Sequence, residues 1–431
     1  MKSARLALHS LTLRGRCTLA AGLAATIAGL ALREVDLLRL GVLLLVLPLI
    51  AVGLVVRTRF RLSCTRRLEP VRVPAGTQAR AVLRIENVSR LPTGLLLVED
   101  TIPYLLGGRP RVVIERLAPR RPIEVGYHLS GEARGRYRVG PLTVRLLDPF
   151  GMCELPRAFT AVDTLVVTPR VESLPATSLR GEWGGAGQST SRSVAAHGDD
   201  DVATREYRQG DDLRRIHWRT TARRGELTVR REEQPWESRA AVLLDARLVA
   251  HRGDGPASSL EWAVSAAASI GLHLAHRGFD VRLVTDGGGE VSSASLGGSG
   301  FDGALLDVLA GLTPSSGTSL HIAADAARRT GGQGLVVAIL AAMGPDDADR
   351  LVRLRATDRS TGIAVLLDTD TWTAAPSSTP ATDRARVIAM LTNAGWRVIE
   401  VRRGDSLARL WAGLGTHSAG PIRVATVDSA S

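Results

Sequence analysis

The chain has 431 residues, which is too long for one ordinary hydrophobic core, so we expect two or three domains. Hydrophobic residues make up 45% of it, a share that is normal for folded proteins and excludes disorder over most of the chain. The formal charge is +12, yet Lys2 is the only lysine. Arginine without lysine, in a chain rich in glycine and alanine, indicates a GC-rich genome rather than a nucleic-acid partner.

Two uncharged apolar runs predict a transmembrane helical hairpin within residues 1–60. They cover residues 17–32 and 40–56, and each is close to the roughly 20 residues that cross the hydrocarbon core. A cleaved signal peptide is the alternative, but a signal peptide has a single short apolar region. Arginines before the first run and after the second outnumber those of the short loop between them. The positive-inside rule therefore predicts a protein of the cytoplasmic membrane with both termini in the cytosol.

Residues 62–170 predict a small β-sandwich, because β-branched or alternating runs recur about every ten residues between turn residues. The sequence Asp148-Pro149-Phe150-Gly151 is typical of a tight turn, in which Asp bonds the backbone ahead and Gly accepts unusual angles. Nothing in this region suggests catalysis. The predicted strands are Ala79–Glu86, Leu95–Thr101, Arg111–Leu117, Ile123–Leu129, Gly135–Leu147 and Thr164–Thr168.

A charged segment, residues 171–238, links this region to the next domain. Asp211 or Asp212 can cap a helix from about Leu213 to Arg224, and Gly225 can end it. A strand is predicted to follow at Glu226–Glu233. The candidate site residues of the segment are Arg205, Glu206, Tyr207, Gly210, Asp211, Asp212, Arg214, Ile216, His217, Trp218 and Arg223.

Four interpretations of this segment compete. Arg214, Arg215 and Arg219 could bind a polyanion, and Asp211 with His217 could perform acid–base chemistry. The segment could also be a protein-docking surface or an internal salt-bridge network. Acids and arginines nearly balance, which favours these last two interpretations. We expect Trp218 to be packed, although an exposed Trp would be a good interface anchor.

These residues resemble the signature of a bacterial family, the "domain of unknown function 58" family. His217 stands where members commonly have Asp. The order of the predicted parts also agrees, so the resemblance covers nearly the whole chain. Two further motifs agree: Arg134-Gly135-Arg136-Tyr137 with Gly140-Pro141, and Asp148-Pro149-Phe150-Gly151-Met152.

The resemblance implies a C-terminal domain similar to von Willebrand factor type A domains. It also implies partners, because such proteins are usually encoded beside a MoxR-type AAA+ ATPase and often beside a transglutaminase-like membrane protein. The implied role is that of an adaptor for the ATPase in assembling or maturing other proteins. No enzymatic activity is established for the family as such.

In residues 239–425 apolar strand runs alternate with helical periodicity, and residues 426–431 are predicted to be a tail. This alternation predicts a mainly parallel, doubly wound sheet covered on both faces. The predicted strands are Ala240–Leu244, Asp280–Thr285, Leu335–Leu340, Ile363–Leu367 and Trp396–Val401, and the predicted helices are Ser259–His276, Asp302–Leu312, Ser319–Arg329 and Asp383–Ala394.

The metal site that a type A domain would have is degenerate in this sequence. Such domains bind a divalent ion with Asp-x-Ser-x-Ser, a distant Thr and a later Asp. Asp245 and Thr318 match, but Arg247 and Val249 replace the two serines, and Ala341-Ala342 stands where the later Asp would be. We predict no metal and no other cofactor, and expect Asp245 to pair with Arg247 or to cap a turn. Asp286 is expected to lie in a plain loop.

The leading hypothesis is a non-enzymatic, membrane-tethered cytosolic adaptor or scaffold, bound to the lipid bilayer and to a MoxR-type ATPase. The sequence lacks a nucleophile elbow, a zinc-binding helix, a P-loop and a kinase motif. Its three cysteines, Cys17, Cys64 and Cys153, lack metal or redox spacing. Two alternatives stay open: a hydrolase that uses Asp211 and His217, and a purely structural membrane protein.

Overall fold

The chain divides into two compact units, one formed by residues 1–170 with 306–312 and the other by residues 171–305 with 313–431. Each unit contains its own strands and hydrophobic core. The computed structural model of the protein describes residues 11–57, 62–90, 92–148, 150–177, 204–206, 218, 221–222, 225–226, 228–230, 239–286, 290–293, 298–331, 334–354, 361–373 and 381–415.

Two helices open the first unit, α1 (Leu13–Leu32) and α2 (Val35–Arg57). They contain 20 and 23 residues, and both are long and apolar enough to cross a membrane. The chain reverses at Arg33, whose backbone has the left-handed φ of 52° and whose N–H donates to the Gly29 carbonyl. The helical hairpin predicted from the two apolar runs is therefore present as a pair of helices.

Glycines bring the two helix backbones close together. A Cβ atom at Gly22 would lie 2.9 Å from the backbone nitrogen of Leu45, and one at Gly29 would lie 2.7 Å from that of Leu38. The large aliphatic side chains point outwards instead, and Leu23, for example, is 56% exposed. Small residues between helices and large apolar residues outside are typical of helix pairs that pack in lipid.

We expect Gly29→Leu to disrupt the helix pair, because the new side chain would overlap the backbone of Leu38. Overpacking of this kind costs about 1–3 kcal/mol, so the thermal unfolding midpoint in detergent should fall. Gly53→Leu is the matched control in α2, since a Cβ atom there meets nothing within 4 Å. Equal midpoints for the two variants, measured by circular dichroism, would contradict the close packing.

Ten strands follow within the described part of residues 62–168, in three sheets ordered β1-β3-β6, β2-β10-β7 and β5-β4-β8-β9. Strands β2 and β10 pair in parallel, and the neighbours in these sheets otherwise run antiparallel. The strands are β1 (Leu62–Glu69), β2 (Arg72–Pro74), β3 (Thr77–Asn87), β4 (Leu95–Asp100), β5 (Arg111–Ile114), β6 (Pro122–Gly131), β7 (Gly135–Val139), β8 (Leu142–Leu147), β9 (Glu154–Phe159) and β10 (Asp163–Thr168).

Strand β3 packs against both of the other sheets. Its alternate residues face one side. Leu83 and Ile85 join a first core cluster with β4 and β8, whereas Ala79 and Ala81 join a second cluster with β10. The first cluster also contains Ala51 of α2, which is fully buried. The strand-rich region predicted for residues 62–170 is thus confirmed, and its sheets pack face to face.

The prediction of one long strand at Gly135–Leu147 is wrong. Two strands, β7 and β8, occupy it, because Gly140 has the left-handed φ of 113° and Pro141 has no N–H to continue a ladder. Strands β1, β2 and β9 were not predicted, since their short, charged or proline-containing sequences lack a clear apolar alternation.

One buried arginine ties the three sheets of the first unit together. Arg66 of β1 donates two hydrogen bonds to Asp100, at the end of β4, at 2.8 and 3.0 Å. A third, of 2.9 Å, goes to Asp163 at the start of β10. The Arg66 side chain is 4% exposed and that of Asp100 is 0% exposed. Tyr127 of β6 donates to the same Asp100 carboxylate at 2.5 Å, so this buried network joins residues of the four strands β1, β4, β6 and β10.

The turn predicted at Asp148 is present, and it also holds the start of α1. The Asp148 carboxylate accepts the N–H groups of Phe150 and Cys153 at 3.0 and 2.5 Å, and Gly151 has a left-handed φ of 67°. Thr12, the residue before α1, donates its N–H to the Met152 carbonyl at 2.9 Å and its hydroxyl to the Gly151 carbonyl at 2.7 Å. The first apolar helix therefore begins directly on the β-rich region.

The second unit contains a mixed six-stranded sheet in the order β15-β14-β13-β16-β17-β18, in which β15 is antiparallel and the other strands are parallel. Two short strands, β11 (Thr204–Glu206) and β12 (Thr228–Arg230), form a separate antiparallel pair. The strands of the large sheet are β13 (Arg239–Leu244), β14 (Asp280–Thr285), β15 (Glu290–Ser292), β16 (Leu335–Leu340), β17 (Thr361–Leu367) and β18 (Arg397–Val401).

Helices cover this sheet, as the alternation predicts. Residues of α5, α6 and α7 share one core cluster with the strands, and α3 packs on β13, β14 and β16. The helices are α3 (Ser259–His276), α4 (Gly298–Gly311), α5 (His321–Gly331), α6 (Pro345–Leu354), α7 (Ala381–Asn393) and α8 (Leu407–Gly413). Strand β15 and helices α6 and α8 were missed because each is short.

Candidate functional site

The carboxyl ends of the parallel strands form the edge at which α/β sheets bind ligands. The chain passes from β13 to its neighbour β14 and later crosses to β16 on the other side of β13. Sites in such sheets lie at this reversal, just beyond the strands' carboxyl ends. Asp245 follows β13 there, and Ala341 follows β16.

At this position Asp245 pairs with Arg247, as the sequence suggested. The carboxylate accepts from Nε and Nη2 of Arg247, both at 2.9 Å, and it also accepts the Arg247 backbone N–H at 3.1 Å. The Asp245 side chain is 0% exposed and that of Arg247 is 3% exposed. A planar guanidinium that bonds both oxygens of one carboxylate has the strongest ion-pair geometry available to these side chains.

A second carboxylate completes the cluster from a position that the sequence did not indicate. Asp347, in the first turn of α6, accepts from Nη1 of Arg247 at 2.7 Å and from the Leu320 N–H at 3.2 Å. Ala341 and Ala342 stand directly after β16, as the sequence shows, and offer no carboxylate there. An acidic pair after Pro345 was the available signal, because acidic residues are favoured in the first turn of a helix.

Thr318 reaches the cluster through its backbone. Its carbonyl accepts from Nη1 of Arg247 at 3.2 Å, whereas a type A domain would use the hydroxyl. Asp286 lies in the predicted loop, yet it also has a structural role there. Its carboxylate accepts the Ala246 N–H at 3.2 Å and the hydroxyl of Ser315. Asp286 therefore lies in a loop, as predicted, and in addition holds the Asp245 loop in place.

His251 holds the same loop by hydrogen bonds, as a neutral imidazole. Its Nε2 lies 2.8 Å from the Asp245 carbonyl, and its Nδ1 lies 3.0 Å from the Ser259 hydroxyl, which already accepts the Arg252 N–H at 2.9 Å. The consistent arrangement has Nε2–H donating to the carbonyl and Nδ1 accepting from Ser259. Burial lowers the pKa of His251 below its ordinary value.

A divalent ion does not fit between these carboxylates. The guanidinium of Arg247 lies where it bonds both Asp245 and Asp347, so a metal would have to displace a buried cation that already neutralises them. Burial by itself lowers the pKa of Arg247, but its bonds to Asp245 and the charges of both aspartates raise it above the ordinary value. Arg247 is therefore a permanent cation.

The loop that follows Arg247 exposes two aliphatic side chains. Leu248 is 63% exposed and Val249 is 55% exposed, although both flank one of the most buried charge clusters in the described part of the unit. The Leu248 N–H donates to the Ser315 carbonyl at 2.8 Å, and the Ala250 N–H donates to the Arg247 carbonyl at 3.0 Å. These two hydrogen bonds fix the backbone of the loop. The fixed backbone holds the side chains of Leu248 and Val249 in solvent.

The charged signature segment is described only in part. Arg205 and Glu206 lie in β11, and Arg205 pairs with Val229 of β12. The strand predicted at Glu226–Glu233 is present at Thr228–Arg230. The other candidate residues of the signature, Tyr207, Gly210, Asp211, Asp212, Arg214, Ile216, His217 and Arg223, lie outside the described residues, as do Arg215 and Arg219.

Two predictions for this segment can be checked at its described residues. Trp218 is helical but 67% exposed, so the expectation that it packs is wrong. Gly225 ends the helical turn as predicted. Its N–H donates to the Thr221 carbonyl at 2.9 Å, and its φ of +75° is the left-handed conformation that favours glycine.

The family model described as "Protein of unknown function DUF58" matches residues 203–377. Residues 203–377 are called the DUF58 region below, after the model that they match. The match includes the signature residues from Arg205 to Arg223 and the Asp245–Arg247 cluster, and it confirms the resemblance predicted from the signature over this range.

A relative in Bacillus subtilis (strain 168), the uncharacterized protein YeaD, is 26% identical over 218 residues. The match covers 49% of this chain and 52% of YeaD, so the chain spans about half the length of this relative.

Solved structures resemble the chain only weakly. The CARDB domain of the PF1109 protein from Pyrococcus furiosus is 14% identical, with a TM-score of 0.20, over 25% of this chain and 88% of that one. A β-glucosidase from Listeria innocua is 11% identical, with a TM-score of 0.16, over 23% of this chain and 16% of that one. Similarity at this level supports no statement about fold or function.

We expect Arg247→Ala in the DUF58 region to cost about 3–5 kcal/mol in the free energy of unfolding, because it leaves Asp245 and Asp347 buried without their cation. Arg328→Ala is the control, since Arg328 and Asp325 form a pair whose side chains are 66% and 58% exposed. Such surface pairs contribute about 0–1 kcal/mol. Chemical denaturation measures both variants, and similar losses would contradict a structural role for Arg247.

The stability of the DUF58 region should depend on the protonation of His251. Because burial lowers its pKa, the unfolded chain binds this proton more readily than the folded protein does. The contribution of His251 is therefore complete above the unfolded pKa of about 6.5 and decreases below it, by at most about 1.4 kcal/mol per pH unit.

We expect His251→Gln to reduce this loss of stability at acid pH, and denaturation curves at neutral and mildly acid pH measure it. His276→Gln is the control, because the His276 side chain is 65% exposed and pairs with Asp302, whose side chain is 36% exposed. If the acid loss of the His251 variant equals that of the native protein, His251 is not the titrating group.

Proposed function

We propose that the chain is a membrane-tethered cytosolic adaptor that acts by docking other proteins and not by catalysis. The length and apolar surface of α1 and α2 support a tether in the cytoplasmic membrane. Arg14 and Arg16 flank the start of α1, and Arg57 ends α2. This excess of arginine supports the orientation with both ends in the cytosol.

We further propose that the second unit is a degenerate type A domain. Its parallel sheet with an antiparallel edge strand, and the Asp directly after β13, support this assignment. In this proposal Arg247 replaces the bound ion, because its guanidinium bonds the two carboxylates that would otherwise share a metal. The carboxyl edge of the sheet then keeps a rigid shape without a cofactor.

The docking proposal rests on two exposed aliphatic side chains of one loop. Leu248 and Val249 stand at the edge where α/β folds bind ligands, and the buried cluster below them fixes their backbone. A rigid apolar anchor loses little conformational entropy when it binds a partner. Trp218, at 67% exposure, is a second anchor in the same unit.

The hydrolase alternative receives less support. It requires Asp211 and His217 to converge with Asp245 in an open pocket. Asp245 is instead fully buried, and both of its oxygens are bonded to Arg247. Its carboxylate therefore has no free oxygen to offer a substrate.

The resemblance to the family supports a MoxR-type AAA+ ATPase as the partner, with a transglutaminase-like membrane protein as a further member of the assembly. An ATPase that remodels client proteins would use the adaptor to reach clients at the membrane. This role suits a chain that supplies a membrane tether and, at the carboxyl edge of its sheet, a docking surface (the docking edge).

The decisive experiment is co-purification from detergent-solubilised membranes, with and without ATP. We expect a MoxR-type ATPase to be recovered with the native chain. The double variant Leu248→Ser, Val249→Ser should reduce this recovery about tenfold, because loss of the apolar contacts costs about 1.4 kcal/mol or more. Val113→Ser is the matched control, since Val113 of β5 is 58% exposed and Val249 is 55% exposed.

The possible outcomes separate the hypotheses. Recovery that falls in the double variant but not in the control supports the docking edge, provided that circular dichroism shows both variants folded. Unchanged recovery in the double variant would overturn the docking edge while leaving the adaptor role intact. Absence of the ATPase from the native sample would overturn the adaptor role and favour a purely structural membrane protein.

A further inference from the structure

The start of α1 is in direct contact with a turn of the β-rich region. The two hydrogen bonds from Thr12 hold it to Gly151 and Met152. Leu11 also forms an isolated antiparallel bridge with Cys153. A Cβ atom at Gly15 would collide with the Met152 carbonyl, so the turn lies against the first turn of the helix.

The second helix, α2, contacts the β-rich region at the same level along the helix pair as α1 does. Gly22 faces Leu44 and Leu45, and Gly29 faces Leu38, which fixes the register of the antiparallel pair. Continued by two turns, this register places Gly15 level with Ala51. Ala51 is fully buried in the first core cluster, together with Cys153. Both helices are therefore in contact with the β-rich region at one common level.

Helix α1 has no spare length beyond this level. The 20 residues of α1 extend about 30 Å at 1.5 Å per residue, which equals the hydrocarbon thickness of a typical bilayer. Its first turn, which includes Leu13, is needed to complete a span. The turn that touches this part of α1 must then lie at the boundary between the hydrocarbon and the headgroups.

The exposed side chains at this level suit a headgroup layer. Phe150 is 49% exposed at the tip of the turn, and Leu13 is 78% exposed beside it on the helix. Arg14 lies close to the turn, with Nη1 3.9 Å from a Cβ atom built on Gly151, and Arg16 is exposed one half-turn further on. Apolar side chains such as those of Phe and Leu bury their surface at the boundary between the headgroups and the acyl chains, and arginines there attract anionic headgroups.

We propose that the turn at Phe150 inserts into the headgroup layer of the membrane that α1 and α2 span, so that the β-rich region lies directly on the bilayer. This inference rests on the proposed membrane tether. The partner is a lipid surface of mixed zwitterionic and anionic headgroups, contacted by one aromatic ring with arginines around it.

Photo-crosslinking in a bilayer tests the proposal. The full chain is placed in nanodiscs of phosphatidylcholine and phosphatidylglycerol, with p-benzoylphenylalanine at one of three positions, and lipid adducts are measured by mass spectrometry. Phe150 is the test position. Leu23, 56% exposed in α1, reports the membrane span. Tyr104, 85% exposed, is the aqueous control, because its turn packs on the second core cluster, which α1 and α2 do not join among the described residues.

We expect lipid adducts at positions 23 and 150, with several-fold more at 150 than at 104. Adducts at 23 together with equal, low yields at 150 and 104 would overturn the contact of the turn with lipid and leave the tether standing. Low yields at all three positions would overturn the tether itself, and the inference with it. Each position is exposed, so the substitution leaves the core intact, and circular dichroism verifies the fold.

Discussion

A buried guanidinium shared by two aspartates organises each unit of this protein. In the first unit Arg66 bonds Asp100 and Asp163, which belong to two different sheets, while Arg66 itself belongs to a third. Removing a charge pair of this kind from water is costly, and bonds to every available oxygen are what offset that cost. The three sheets must therefore meet in one register, because any displacement leaves a buried charge without its partner. Burial also raises the pKa of the neighbouring Cys64 thiol to about 12, so that thiol stays protonated at neutral pH.

In the second unit the same device determines what the carboxyl edge of the sheet can do. Arg247 bonds Asp245 and Asp347, and the loop that carries it is also held by the Ser315 carbonyl and by His251. A site built this way needs no ion to hold its carboxylates together. It also presents no unpaired carboxylate oxygen of Asp245 to a substrate. In the proposed function, what the edge offers a partner is its shape and the apolar surface of Leu248 and Val249.

The sequence predicted those features that depend on neighbouring residues. The apolar runs, the alternation of strands and helices, the Asp148 turn and the stop at Gly225 each follow from a local rule of periodicity or turn chemistry. Asp347 could not be placed in the cluster in this way. It reaches Arg247 across 100 positions of the chain, and only the crossover of the sheet brings it there. The junction of Thr12 with Gly151 spans still more of the chain, 139 positions. Trp218 was expected to pack because large aromatics are usually buried, but it is 67% exposed.

The junction between α1 and its turn has a mechanical consequence. Thr12 bonds the turn through both its backbone and its hydroxyl, Gly15 leaves no gap, and Ala51 inserts into the core of the β-rich region. Tilting the helices relative to that region would break hydrogen bonds and open a cavity at Ala51, with a cost of several kcal/mol. The β-rich region must therefore move with the helices as one body. A flexible tether would let a bound partner sample a wide volume, whereas this junction holds the first unit at a fixed height and orientation relative to the ends of its own helices.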